Sequence, residues 1–124
     1  MPLTRRYRLS ASAQADVVEI LAWSQAQFGE GARLRYEALL ATALRDIAEQ
    51  PDRAGSLARP ELGAGVRSWH LRLSRTRSTG TPGAVHRPRH FLVYRLDGDL
   101  LVVGRVLHDA MELVRHLGPE QSWE

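Results

Sequence analysis

The chain has 124 residues, 44% of them hydrophobic, and this length suits one compact domain, residues 1–124, with a core of its own. It contains no cysteine, which excludes a disulfide framework and a thiolate metal site. No stretch approaches the roughly 20 apolar residues of a membrane helix, and the first residues lack the apolar core of a signal peptide. We therefore expect a cytoplasmic protein.

The basic charge of the chain is concentrated in one stretch. The formal net charge is only +3, and all 17 basic residues are arginine, which genomic codon bias explains simply. From Leu62 to Leu96, however, there are seven Arg and three His but no Asp or Glu. A local basic region of this kind attracts nucleic acid or an acidic protein segment, with a strength that falls as salt rises.

The N-terminal part of the chain predicts a short strand followed by a helical hairpin, about residues 10–50. Arg6 to Leu9 alternates polar and apolar residues, and Ser10 is a typical helix N-cap. Two apolar stripes follow at helical spacing, separated by the turn at Gly29–Gly31 and limited by Pro51. They consist of Ala13, Val17, Ile20, Leu21 and Phe28, and then of Ala32, Tyr36, Leu39, Leu40, Ala43 and Ile47. So short a turn predicts antiparallel helices.

The remainder predicts a small sheet, about residues 66–108. Residues 51–65 contain two Pro and three Gly and predict a loop. The alternation of apolar and polar residues from Ser68 to Leu73 predicts a half-buried strand. The segment Ser74–Arg87 is rich in Ser, Thr, Gly and Arg, and predicts a long mobile loop over about 74–88.

Two further strands, Arg89–Leu96 and Asp99–Leu107, flank Asp97-Gly98, a dipeptide typical of two-residue hairpin turns. That turn predicts a register in which Leu96 faces Asp99, Tyr94 faces Leu101, Leu92 faces Val103 and His90 faces Arg105. One face would then carry His90, Tyr94 and Arg105. Because both faces are largely apolar, we expect the hairpin to be central. The helices should cover one face, and a C-terminal turn around residues 110–117, or another protein, the other.

The order of strand, helical hairpin, loop and antiparallel strands resembles the RelE/ParE superfamily, and three segments resemble its ParE branch. RLSASAQADVVEILAW and FGEGARLRYEALLATALRDIAEQP, within positions 8–51, resemble its helical hairpin. ELGAGVRSWHLR resembles its loop and first long strand, with a Gly-x-Arg-Ser step at Gly65–Ser68, and HFLVYRLDGDLLVVGRVLHDAM resembles its closing hairpin. The segment Ser74–Arg87 is longer than the family's usual connection.

The resemblance implies an α+β fold, with a short N-terminal strand and an antiparallel helical hairpin packed on a small antiparallel sheet, and a short C-terminal helix. It also implies the toxin of a type II toxin-antitoxin system, of the kind associated with plasmid stabilisation. ParE-type toxins inhibit DNA gyrase, trapping it on cleaved DNA, until a cognate acidic antitoxin binds them in a hetero-oligomer. RelE-type relatives instead cut mRNA in the ribosome, and the shared fold does not decide between these targets. Basic charge alone also allows a nonspecific nucleic-acid-binding domain.

The candidate residues for binding a target or an antitoxin combine the basic sheet positions with three large or titratable side chains. They are Arg67, Trp69, Arg72, Arg89, Arg95, Arg105, His108 and Trp23. The strand arginines could equally be solvated, and Trp69 fits a core position. Trp123, in the polar tail, could be covered by a partner.

If the protein cleaves RNA, the candidate catalytic residues are His90, Tyr94, Arg105 and His108. No carboxylate lies between Glu61 and Asp97 to act as the base, so binding or structural roles are favoured. His90 and Arg105 could be a cross-strand polar pair, and Tyr94 a core ring with its hydroxyl at the rim. A zinc site at His86 and His90 is disfavoured, because Pro88 breaks the helix that their spacing would need. We expect no metal or cofactor.

Overall fold

The computed structural model describes residues 5–78, 83–110 and 123–124, and within them two helices pack on a five-stranded sheet. The elements are β1 (Tyr7–Leu9), α1 (Ala11–Phe28), α2 (Glu30–Glu49), β2 (Leu57–Ala58), β3 (Arg67–His70), β4 (His90–Asp97) and β5 (Leu100–His108). The α+β fold is confirmed. Neither described helix has the length and apolar character needed to cross a membrane.

The predicted helical hairpin is confirmed, and particular residues fix its ends. Ser10 caps α1, because its Oγ accepts the N–H of Ala13 at 3.0 Å. Gly29 separates the helices with a φ of +93°, a conformation that favours glycine. The second helix ends two residues before Pro51. One residue of the first stripe departs from prediction: Phe28, in the last turn of α1, is 68% exposed and meets the ring of Trp23.

The sheet has the strand order β1-β5-β4-β3-β2, so the closing hairpin is central as predicted. Its strands pair antiparallel except for β1, which runs parallel to β5 and makes the sheet mixed rather than antiparallel. The short edge strand β2 lies inside the predicted loop 51–65. It forms because Leu57 and Ala58 pair with Ser68 and Arg67 of β3.

The predicted register of the closing hairpin is wrong for two reasons. Asp97 pairs with Leu100, so the two loop residues are Gly98 and Asp99, with Gly98 at a φ of +61°. A glycine with positive φ at the first loop position fits a type II′ turn. The ladder also has a bulge, because Tyr94 pairs with Val103 and Val93 with Arg105, which leaves Gly104 without an opposite residue. Beyond the bulge His90 pairs with His108 instead of Arg105.

The strand predicted over residues 68–73 stops at His70, and Leu71–Ser74 forms a 3-10 turn. Three side-chain hydrogen bonds favour this early end. Nδ1 of His70 accepts the N–H of Arg72 at 3.1 Å, which uses a donor that a longer ladder would need. Ser74 Oγ accepts a hydrogen bond from Trp69 Nε1 at 2.9 Å and donates one to Asp46 at 2.6 Å, which ties the turn to α2.

A second apolar layer covers the sheet face opposite the helices. It contains Phe91, Val93, Val102, Leu107, Val66 and Trp123. Trp123 is only 5% exposed, so its predicted place in a partner-covered tail is wrong. Its ring lies on Gly104, where an added Cβ would be 2.8 Å from ring carbons, and Arg95 lies 4.5 Å from the ring centroid. The predicted C-terminal helix, and all but the first residue of the turn at 110–117, fall outside the described residues.

Candidate functional site

An open groove of about 880 Å³ lies between the helical hairpin and the adjoining ends of β4 and β5. Its lining is mostly apolar. The aromatic rings of Trp23, Phe28 and Tyr36 contribute from the helices, and His90 and His108 from the strands. The chain segment Ala84–Arg87 forms a further side. We call this the aromatic groove.

The imidazole of His90 is fixed by Tyr36. The phenol oxygen of Tyr36 lies 2.6 Å from Nδ1 of His90 and accepts the backbone N–H of Arg89 at 3.3 Å. Burial raises the pKa of Tyr36 to about 12, and burial together with the neighbouring His108 lowers the pKa of His90 to about 4. Tyr36 therefore stays protonated, and its hydroxyl donates a hydrogen bond to Nδ1 of His90. Neutral His90 then carries its own proton on Nε2.

His108 stands directly across the ladder from His90. The two rings meet edge to face, with their centroids 5.3 Å apart. Nδ1 of His108 accepts the backbone N–H of Ala110 at 3.1 Å, which leaves the other ring nitrogen as its remaining polar group. The side chain of His108 is 38% exposed and can be reached from solvent.

Asp109 ties together the ends of three strands. Its carboxylate accepts hydrogen bonds from Nε2 of His70 at 3.2 Å and from Nη2 of Arg89 at 3.1 Å. Burial alone would raise the pKa of Asp109, but the bonds from His70 and Arg89 hold that pKa below its ordinary value. Burial lowers the pKa of His70, although the hydrogen bond to Asp109 acts to raise it. The cluster is consequently a structural clamp that also sets the position of Arg89.

Arg105 is bound to the first helix. Its Nε and Nη2 donate to the two carboxylate oxygens of Asp16 at 2.7 and 2.9 Å, and the backbone N–H of Val106 donates to the same carboxylate at 2.9 Å. The hydrogen bond with Asp16 raises the pKa of Arg105. This bidentate pair joins α1 to the strand just past the Gly104 bulge, so Asp16 already occupies the guanidinium face that a substrate phosphate would need.

The structure brings only some of the sequence-predicted residues together. Trp23, Arg89, His90, Arg105 and His108 line the aromatic groove. Tyr94, proposed as their catalytic companion, is 1% exposed and bonds to Ser56 and to the carbonyl of Pro51.

The remaining basic candidates are spread over other surfaces. Arg67 donates to Ser56 at 2.7 Å, beside Tyr94. Arg95 lies against Trp123 on the opposite sheet face, and Arg72 is exposed on the 3-10 turn. Trp69 is 1% exposed, which confirms its interpretation as a core residue and makes direct contact with a partner impossible without opening the core.

The sequence pattern does not single out three residues that hold the polar side chains of this site: Tyr36 and Asp16, which line the groove, and Asp109, which directly follows β5. The spacing predicts Tyr36 only as part of an apolar helical stripe, and the sequence assigns no role to Asp16 or Asp109. No local signal identifies them, because their partners His90, Arg105 and Arg89 are at least 20 residues away in sequence. Among the described residues, no group of three or more His, Cys, Asp or Glu could hold a metal ion.

The helical hairpin, the central closing hairpin and the groove between them define a small α+β protein of the RelE/ParE layout. The family model described as the ParE toxin of the type II toxin-antitoxin system parDE matches residues 7–113. The chain therefore belongs to the ParE toxin family and is a type II toxin-antitoxin toxin. None of the curated proteins compared with the chain matches it.

Proposed function

We propose that the protein inhibits DNA gyrase, and that its cognate antitoxin neutralises it by binding over the aromatic groove. The observation that carries the choice of target is the ParE match, because it extends through both the helical hairpin and the closing strands. In the family, this branch acts on gyrase and the RelE branch on ribosomal mRNA.

The groove has the properties of a protein-binding surface. Trp23 is 57% exposed and Phe28 68% exposed, and the two rings contact each other with their centroids 5.7 Å apart. Exposed, mutually supported aromatic side chains are typical anchors of protein interfaces. Ile20 and Ala32 line the same groove. An amphipathic segment could therefore bury its apolar face here.

Charge favours an acidic occupant. Arg35 and Arg87 both line the groove, and neither has an ion-pair partner within the part of the chain that the structure describes. The antitoxin segment should accordingly carry apolar residues on one side and carboxylates at its margin. A disordered acidic segment that folds on this surface fits both requirements.

The chemistry of the groove supports binding more than RNA cleavage. General acid-base catalysis near neutral pH needs groups whose pKa values lie near 7, whereas the pKa is about 4 for His90 and about 12 for Tyr36. His108, which stands across the ladder from His90, uses Nδ1 to accept a hydrogen bond from the backbone N–H of Ala110. Arg105 is committed to Asp16.

The test is a supercoiling assay with purified gyrase, relaxed plasmid and ATP. We expect the toxin to abolish supercoiling and to leave cleaved plasmid after the enzyme is removed with detergent and protease. Toxin previously mixed with its antitoxin is the control and should leave gyrase active. Normal supercoiling at saturating toxin would remove gyrase as the target.

The competing function, ribosome-dependent mRNA cleavage, predicts a different outcome in cells. Mapping mRNA 5′ ends after induction would then show cuts at preferred codon positions, and His108→Ala would lose toxicity. We expect neither codon-associated ends nor rescue by His108→Ala.

A further inference from the structure

We infer that the segment Gly83–Arg89 is a preformed wall of the aromatic groove that selects the cognate antitoxin, with Arg87 presenting a cation to a carboxylate of the partner. This inference rests on the proposed binding of the antitoxin over the groove. It adds which part of the toxin discriminates between antitoxins, and by what chemistry.

Several contacts anchor this segment to the rest of the protein. Val85 packs against the main core, and Pro88 is buried. The carbonyl of His86 accepts a hydrogen bond from Nη1 of Arg75 at 3.0 Å. At the far end, the N–H of Arg89 donates to Tyr36. The segment is therefore held in place before any partner arrives, which lowers the ordering cost of binding.

The start of the wall meets α2 closely. Gly83 adopts a φ of +93°, and a Cβ added there would lie 3.4 Å from Cδ of Arg35. The aliphatic part of Arg35 thus packs against the segment, while Arg35 itself also lines the groove. This contact joins wall and helix into one surface.

The anchored backbone leaves two polar side chains directed outward. His86 and Arg87 are exposed, both line the groove, and Arg87 has no ion-pair partner among the described residues. Arg89, the next arginine, is already paired with Asp109 at 3.1 Å. Arg87 is consequently the cation of this wall that remains available to a partner.

Such an arrangement suits selection rather than general adhesion. The aromatic rings of Trp23 and Phe28 accept many apolar side chains, whereas a fixed guanidinium favours a carboxylate at one position and disfavours a basic residue there.

The experiment measures the affinity of the full-length toxin for two purified antitoxins, the one encoded beside it and one from a different ParE-type pair. Arg87→Glu and Arg87→Ala are compared with Arg45→Glu, which makes the same charge change as Arg87→Glu at an exposed α2 position outside the groove. Thermal unfolding confirms that each variant folds. We expect Arg87→Glu to weaken cognate binding by at least about tenfold and Arg87→Ala by about threefold to tenfold, with Arg45→Glu within about twofold of wild type.

Discrimination is the second readout. Arg87→Glu should reduce the ratio of cognate to non-cognate affinity, and the loss should shrink as salt is raised. If Arg87→Glu matches Arg45→Glu in affinity and in the cognate ratio, the inference is overturned while the proposed function stands. If the unaltered toxin does not bind the cognate antitoxin at all, it is the proposed neutralisation that fails.

Discussion

The phenol oxygen of Tyr36 lies 2.6 Å from Nδ1 of His90, and this contact joins the second turn of α2 to the first residue of β4. Replacing Tyr36 by Phe removes the hydroxyl and leaves Nδ1 of the half-buried His90 without this hydrogen bond. We expect the free energy of unfolding to fall by about 1–2 kcal/mol, as measured by urea denaturation. The matched control is Tyr7→Phe, since Tyr7 is 45% exposed. Equal stability of the two variants would contradict the assigned role.

The stability of the protein should depend on pH through the half-buried histidines His70 and His90. The folded-state pKa of His90 is lowered to about 4, and that of His70 is also lowered. A histidine with a lowered pKa binds its proton more readily in the unfolded chain, so its contribution to stability is complete above the unfolded pKa of about 6.5 and is lost as pH falls toward the folded pKa.

The corresponding measurement is the free energy of unfolding at intervals from pH 7.5 to 4.5. We expect a loss on the order of 2 kcal/mol across this range, with a shallower slope in His90→Gln, which does not titrate. A wild-type profile that is flat, or that rises as pH falls to 5, would contradict the assignment of neutral imidazoles at His70 and His90.

Trp123 should stabilise the fold although it does not line the groove. Its ring covers Gly104 and packs with Phe91 and Val102, so Trp123→Ala opens a cavity in the second apolar layer. We expect a loss of about 3 kcal/mol in urea denaturation. Trp123→Phe should lose less, because part of the contact remains. An unchanged stability in Trp123→Ala would show that this ring does not cover the sheet in solution.

Trp23, unlike Trp123, should contribute to antitoxin binding and hardly to the stability of the fold. Because its side chain is mostly exposed, Trp23→Ala should change the free energy of unfolding by no more than about 0.5 kcal/mol. Because the Trp23 ring is expected to anchor the partner, the affinity of the Trp23→Ala toxin for the cognate antitoxin, measured by titration calorimetry, should fall by about tenfold to a hundredfold. Val18→Ala, at a residue that is 70% exposed and lies outside the groove lining, serves as the control. Undiminished binding by Trp23→Ala would remove the groove as the antitoxin site.

The helical part of the fold could be predicted because its signals are local. Ser10, Gly29 and Pro51 mark the helix limits, and the apolar spacing of Ala13, Leu39, Ala43 and Ile47 predicts which face is buried. Each of these residues acts through neighbours within a few positions along the chain, or through the helical period itself.

The register of the closing hairpin and the end of β3 could not be predicted from the sequence, because they depend on contacts between residues distant in sequence. The bulge at Gly104 lies under Trp123, and the end of β3 at His70 follows a chain of bonds from Trp69 through Ser74 to Asp46. The local pattern of the strand predicts neither the contact of Gly104 with Trp123 nor the bond between Ser74 and Asp46. A glycine inside a strand was nevertheless a signal of a bulge or of a close approach.

In the groove, too, some residues could be predicted from the sequence, whereas their contacts could not. Trp23, Arg89, Arg105 and His108 were among the predicted binding residues, and all four line it. The hydrogen-bond partners that hold its polar side chains, and the anchored wall at Gly83–Arg89, follow from packing of the helices against the strand ends. Composition predicts a mobile loop over about 74–88, since it contains few large apolar residues, whereas the packing of Val85 on the core and the burial of Pro88 depend on contacts that composition does not report.

The most direct measurement of the central claim is the amount of linear DNA that gyrase produces from supercoiled plasmid in the presence of purified toxin and ATP. We predict that linear DNA accumulates with increasing toxin, and that equimolar cognate antitoxin, added first, prevents it. A toxin that binds its antitoxin and arrests growth, yet leaves the level of cleaved DNA unchanged at saturation, would contradict gyrase as its target.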